Sequence, residues 1–207
     1  VFKLVSTNGK AILVGVKPVV KATSIEIRKG NTKVESVNVV LDKTTSIKAN
    51  ILPADSTDDI EWTVAKDENG EAIISLNKTK TGKDEEVVIT GLKAGVTTLT
   101  ATAKSGVKAT ITVNVIVPTT EIIFKDGDQV VDPQKGLAVY QGVSKTVNIE
   151  AIPNDTTDTK YSWSSNNPAV EVIPSDDGKS AVISASSSVH ATITVTDGKV
   201  NATCSVT

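Results

Sequence analysis

Apolar and polar residues alternate in short runs along almost the whole chain. In Leu99-Thr100-Ala101-Thr102-Ala103 the leucine and alanines fall on one face and the threonines on the other, the period of two that a half-buried strand requires. Comparable runs, bounded by turn residues about every ten positions, predict strands over 23–27, 34–41, 46–52, 59–64, 73–77, 85–90, 97–103 and 108–117. A second series is expected over 121–125, 137–140, 145–152, 161–165, 170–173, 179–184, 191–196 and 199–206. No segment sustains a helical period. Ser105-Gly106 and Asp197-Gly198 supply the positive φ of tight hairpins.

The two series repeat one another. TTSIKANILPADSTDDIEW at 44–62 is answered by SKTVNIEAIPNDTTDTKYSW at 144–163, so that Pro53 matches Pro153, Asp55 matches Asp155, Thr57 matches Thr157 and Asp58 matches Asp158. Trp62 then meets Trp163 after a one-residue insertion, and LTATAKSGVKATITV at 99–113 is echoed by ITVTDGKVNATCSV at 193–206. Self-similarity of this kind predicts two units of one architecture. The expected boundaries are 21–117 and 118–207, each a β-sandwich, joined by the short, stiff VIVPTTE at 115–121, in which Pro118 restricts both itself and Val117.

These residues resemble the bacterial immunoglobulin-like group 2 domains of invasin- and intimin-type adhesins, other surface proteins and phage virions. The resemblance is carried by the aliphatic strand ending in ILPAD or AIPND, by the tryptophan strand YSWSSNNPAVEVI at 161–173, and by GLKAGVTTLTATA at 91–103 leading to ATITV or ATCSV. It departs at WTVAKDENGEAIISL and at SASSSVHAT. What it implies is an all-β fold of tandem immunoglobulin-like β-sandwiches with both tryptophans packed between sheets. It also implies a non-catalytic structural or adhesive module, acting as spacer or assembly unit of a bacterial cell-surface or surface-layer protein. The alternative it implies is a phage virion protein whose domains decorate tail or capsid. The expected location is extracellular, at the bacterial cell surface or on a virion. The expected partners are other subunits or repeats of the same protein, or a host surface protein or glycan.

Composition agrees with strands. There are 30 Val and 18 Ile against 8 Leu, and β-branched side chains fit a pleated sheet better than a helix. Aromatics make up 3%, so the cores must be aliphatic. Charges are interspersed, 22 basic against 24 acidic residues, which leaves no basic footprint for nucleic acid. No apolar run approaches the roughly 20 residues of a membrane helix. The single Cys204 cannot form an internal disulfide, which disfavours a disulfide-stapled secreted domain.

The first twenty residues have the spacing of a closing hairpin, since Gly9 to Ile25 matches Gly106 to Ile122 and TNGK at 7–10 is a hairpin turn signal. Residues 1–20 are therefore expected to be the closing hairpin of a preceding domain or a strand-exchange arm, with Val1 a start inside a longer chain.

Few residues invite chemistry. A nucleophilic triad needs a histidine held by an acid, and the only histidine, His190, lies at the start of an expected strand. Cys204 takes the place of Ile111 in the other unit and is expected to be a buried, inert thiol. One His and one Cys make no zinc site. No enzymatic activity, no catalytic residue and no cofactor are therefore expected. Calcium is the remaining candidate. Asp55, Asp58 and Asp59 crowd one loop, Asp155 and Asp158 its counterpart, and Asp126, Asp128 and Asp132 follow the junction. Asp126 and Asp128 are the candidate ligands, though no spacing matches the twelve-residue calcium loop and aspartates also cap turns. Asn114 and Asn148 are the candidates for a Lys–Asn crosslink, and the sequons at Asn77, Asn154 and Asn201 are attributed to chance.

Overall fold

A computed structural model describes residues 2–7, 10–15 and 18–207. The chain divides into two compact units, Val1–Val115 and Ile116–Thr207. The first carries β1 (Phe2–Thr7), β2 (Lys10–Gly15), β3 (Ser24–Lys29), β4 (Thr32–Lys33), β5 (Ser36–Val40) and β6 (Thr44–Leu52). It continues with β7 (Ile60–Val64), β8 (Ile74–Leu76), β9 (Lys80–Thr81), β10 (Glu86–Gly91), β11 (Gly95–Ala103) and β12 (Lys108–Ile116). The second carries β13 (Glu121–Asp126), β14 (Gln129–Val130), β15 (Lys145–Ile152), β16 (Ser162–Ser165), β17 (Val170–Pro174), β18 (Ser180–Ala185), β19 (Ala191–Thr196) and β20 (Asn201–Val206). Among the described residues there is no helix.

In the first unit one sheet runs β4-β3-β6-β10-β8 and the other β5-β12-β11-β7-β9. The alternation in the sequence decides which face of each turns inward. Leu99, Ala101 and Ala103 of β11 are buried to 2% exposure or less while Thr100 and Thr102 face outward. Ile47, Ala49 and Ile51 of β6 meet them from the other sheet. Each fully buried Val, Ile or Leu contributes about 1.5–3 kcal/mol of transfer free energy, so this aliphatic sandwich needs only one large aromatic at its centre. That aromatic is Trp62, 2% exposed, whose Nε1 donates to the buried Thr81 hydroxyl at 2.8 Å.

The second unit has the sheets β14-β13-β15-β18-β17 and β16-β19-β20. Labelling strands A to G along each unit, β3, β6, β10 and β8 are A, B, E and D, and β7, β11 and β12 are C, F and G. The same letters fall on β13, β15, β18 and β17, and on β16, β19 and β20. This is the immunoglobulin strand order, ABED against CFG.

The structure departs from expectation at three places. The strand expected over 137–140 is absent: only Leu137 bridges, in parallel, to Val206. A turn held by the Gly136 amide on the Asp132 carbonyl runs up to it, leaving too little extended chain for a ladder. Trp163 is half-buried rather than enclosed, because the second unit has no strand equivalent to β9 to cover it. Its Nε1 donates to the Gly178 carbonyl at 2.6 Å, its ring meets Phe124 edge-on at 5.6 Å, and Tyr161 takes the deeper position at 6% exposure. Finally, β4, β9 and β14 have two residues each, too short for any alternation to mark.

β1 and β2 form a two-stranded sheet in register from Phe2↔Gly15 to Thr7↔Lys10, pairing with no other strand among the described residues. The Asn8-Gly9 turn expected between them lies outside the described residues.

Candidate functional site

The feature built in both units is a seat for the incoming backbone. In the first unit, Val20 is held by the loop after β6. Its amide donates to the Thr57 hydroxyl at 3.3 Å, while its carbonyl accepts from the Thr57 amide at 2.9 Å and the Ser56 hydroxyl at 3.1 Å. Two residues on, the Ala22 amide donates to Asp58 Oδ2 at 2.9 Å, and the same oxygen accepts from the Ser105 amide at 3.2 Å in the β11–β12 turn. The second unit does the same with Val117. Its amide donates to the Thr157 hydroxyl at 3.1 Å, and its carbonyl accepts from the Thr157 amide and the Thr156 hydroxyl, both at 2.8 Å. The Thr119 amide donates to Asp158 Oδ2 at 2.7 Å, and its hydroxyl lies 3.0 Å from that of Thr156 and 3.3 Å from that of Tyr161.

Proline gives a reason for side-chain acceptors in the second unit alone, since Lys21 stands in its place in the first. Pro118 carries no N–H and breaks any ladder through it, so the flanking amides must find loop acceptors or remain unpaired, at a cost of about 1–3 kcal/mol each when buried. Ala22, Val117 and Thr119 are all buried. Ladder bonding resumes at the next residue, where the Thr23 amide donates to the Leu52 carbonyl and the Thr120 amide to the Ile152 carbonyl, both at 2.7 Å. Asp58 is 5% exposed. Hydrogen bonds from the Ser105 hydroxyl, foremost, and from the Ala22 amide hold its carboxyl below the usual range.

At the other end of each unit the last strand is paired in parallel. Glu35 O accepts from the Thr112 amide and Asn38 Oδ1 from Asn114 Nδ2 at 2.9 Å, so residue numbers climb together along β5 and β12. In the second unit the Leu137 amide donates to the Ser205 carbonyl at 2.8 Å, the Thr207 amide to Leu137 at 3.0 Å and the Val139 amide to Thr207 at 3.1 Å.

The residues singled out by chemistry are dispersed. Cys204 is a free thiol, 4% exposed, and burial pushes it up from the ordinary thiol value. His190 is exposed, and its carbonyl accepts from Asn167 Nδ2 at 3.2 Å. The structure therefore does not bring the two together: the thiol faces the core, the imidazole does not. Of the acids in the loop after β6, Asp58 turns into the seat while Asp55 and Asp59 are exposed. Asp126 closes β13 and pairs with Lys145 Nζ at 2.5 Å, and Asp128 lies exposed in the turn to β14. Among the described residues no three His, Cys, Asp or Glu side chains are grouped to hold a metal ion. Asn148 is exposed opposite Lys125, and Asn114 is spent on Asn38. A crosslinking lysine must lose its proton, which an exposed setting does not favour. The seats themselves went unrecognised in the sequence, although the Thr57-Asp58 and Thr157-Asp158 match was their signal.

No family model matches the chain, and no curated protein does. Among solved structures it is similar to a C-terminal 282-residue fragment of intimin, in complex with the intimin-binding domain of the translocated intimin receptor. The identity is 19% over 90% of this chain and 63% of that one, with a TM-score of 0.47. Invasin, described as a bacterial integrin-binding protein, is 15% identical over 99% of this chain and 44% of its own, with a TM-score of 0.48. Domains 4–9 of the surface layer protein SbsC are 18% identical over 95% and 33%, with a TM-score of 0.35. The chain thus spans less than two thirds of each. The class is set by the strand order: an all-β protein of immunoglobulin-like sandwiches. At such identities the likeness to intimin, invasin and SbsC is one of fold.

Proposed function

We propose that the chain is a non-catalytic spacer or assembly module of a bacterial surface protein, located outside the cell. The observation that carries this reading is the parallel pairing of each unit's last strand. In the first unit β5 follows β3 from the side where the chain enters, and β12 leaves on the other. A pull on both ends draws β5 back and β12 forward, so the rungs between them are loaded together rather than one at a time. The seats at Val20 and Val117 support the same reading, since they tie the incoming chain to the sandwich it enters. Protein partners would meet the loops or come from neighbouring subunits.

Protease shaving of intact cells of the organism that makes the protein tests the location. Peptides cut from exposed loops, such as the one containing Lys66 and Asn69, should appear before any cytoplasmic marker. Their absence until lysis would contradict the proposal.

A further inference from the structure

We propose that the incoming tripeptide of each unit, Val20–Ala22 and Val117–Thr119, is a releasable strap that lifts from its seat while the sandwich beneath stays folded. Its use in a spacer rests on the reading above; its existence does not.

The boundaries follow from how each residue is held. Val117 and Thr119 are tied by the side chains and one amide of a single loop, Thr156–Asp158, with the Tyr161 hydroxyl beside them. Pro118 contributes no donor. Thr120, by contrast, starts the β13–β15 ladder with its amide and hydroxyl both on the Ile152 carbonyl, at 2.7 and 3.0 Å. On the other side β12 ends at Ile116. Nothing between these limits is part of a ladder, so three residues can come away without breaking a strand rung. The first unit has the same downstream limit. Val20 and Ala22 are held by Ser56–Asp58 and the Ser105 turn, and Thr23 is already on the Leu52 carbonyl.

Segments held outside the strand ladders open locally at lower free energy than core strands. Release would lengthen the free chain by about 10 Å per strap, at ~3.3–3.6 Å for each of three residues. The strap would then yield before the sandwich and give the chain a reversible slack where it enters each unit.

Amide hydrogen exchange on the whole 207-residue chain, read by NMR, is the test. The Val117 and Thr119 amides should exchange on the order of 100-fold faster than those of Val147 and Ile193, with Thr120 between them, as a local opening requires. Thr157→Val removes the hydroxyl from the Val117 amide and should speed Val117 by about tenfold. Asp158→Asn should do the same for Thr119. Low urea should leave the Val117 and Thr119 rates nearly flat while those of Val147 and Ile193 rise, because a local opening exposes little surface. If Thr119 exchanges as slowly as Val147, or if the Val117 and Thr119 rates climb with urea in step with those of Val147 and Ile193, the strap does not exist and the segment opens only with the fold. Failure of the spacer reading would show elsewhere, in weak resistance to pulling with these exchange rates unaltered.

Discussion

Asp58 and Trp62 stand four residues apart and do different work. The Asp58 carboxylate answers amides from two separate segments, Ala22 and Ser105. Because its folded pKa is depressed, its contribution is present above the unfolded carboxylate value of about 3.9 and is lost as pH falls through the lower folded value. The urea midpoint of wild type should therefore exceed that of Asp58→Asn at pH 7, with the gap closing progressively below about pH 4. A gap independent of pH would contradict the assignment. For the tryptophans the contrast is burial. Trp62→Phe leaves the buried Thr81 hydroxyl without its donor and should cost about 2 kcal/mol. Trp163→Phe gives up a bond to Gly178 that water can partly replace and should cost about 1 kcal/mol. Urea denaturation that ranked them the other way would show that Trp163 is the enclosed ring.

At the level of elements, two glycines mark where chain passes too close for a side chain. A Cβ at Gly178, φ +67°, would stand 2.1 Å from the Tyr161 carbonyl oxygen, and one at Gly136, φ +68°, 2.3 Å from that of Ser205. Gly136→Ala should thus pry Leu137 from Ser205 and loosen the parallel pairing, and Gly178→Ala should displace Tyr161 at the entry to β16. Both should lower the melting temperature of the second unit by more than Gly198→Ala, which meets nothing within 4 Å and costs only the roughly 1–2 kcal/mol of left-handed strain. Elements long enough to alternate were legible in the sequence: β15 and β19 coincide with the expected 145–152 and 191–196. β4, β9 and β14 were not, because two residues have no period. The segment 137–140 misled for the opposite reason. Leu137 and Val139 are buried alternately, so the side-chain pattern is a strand's even though the backbone makes only scattered rungs. The seats were illegible as contacts because Val117 and Thr157 lie 40 positions apart. The repeated Thr-Asp pair that builds them was visible only as a match without a role.

For the whole molecule, each unit is a sandwich of one strand order, seated where the chain comes in and paired in parallel where it goes out. Single-molecule pulling on the full chain, held at its ends, tests that most directly. Two separate unfolding events are expected, each lengthening the chain by about 300 Å for roughly ninety residues at ~3.3–3.6 Å apiece. Each should be abrupt, because the rungs of β5 with β12, and of Leu137 and Val139 with β20 and Thr207, fail together. Smooth, low-force lengthening, as strands peel away rung by rung, would contradict it.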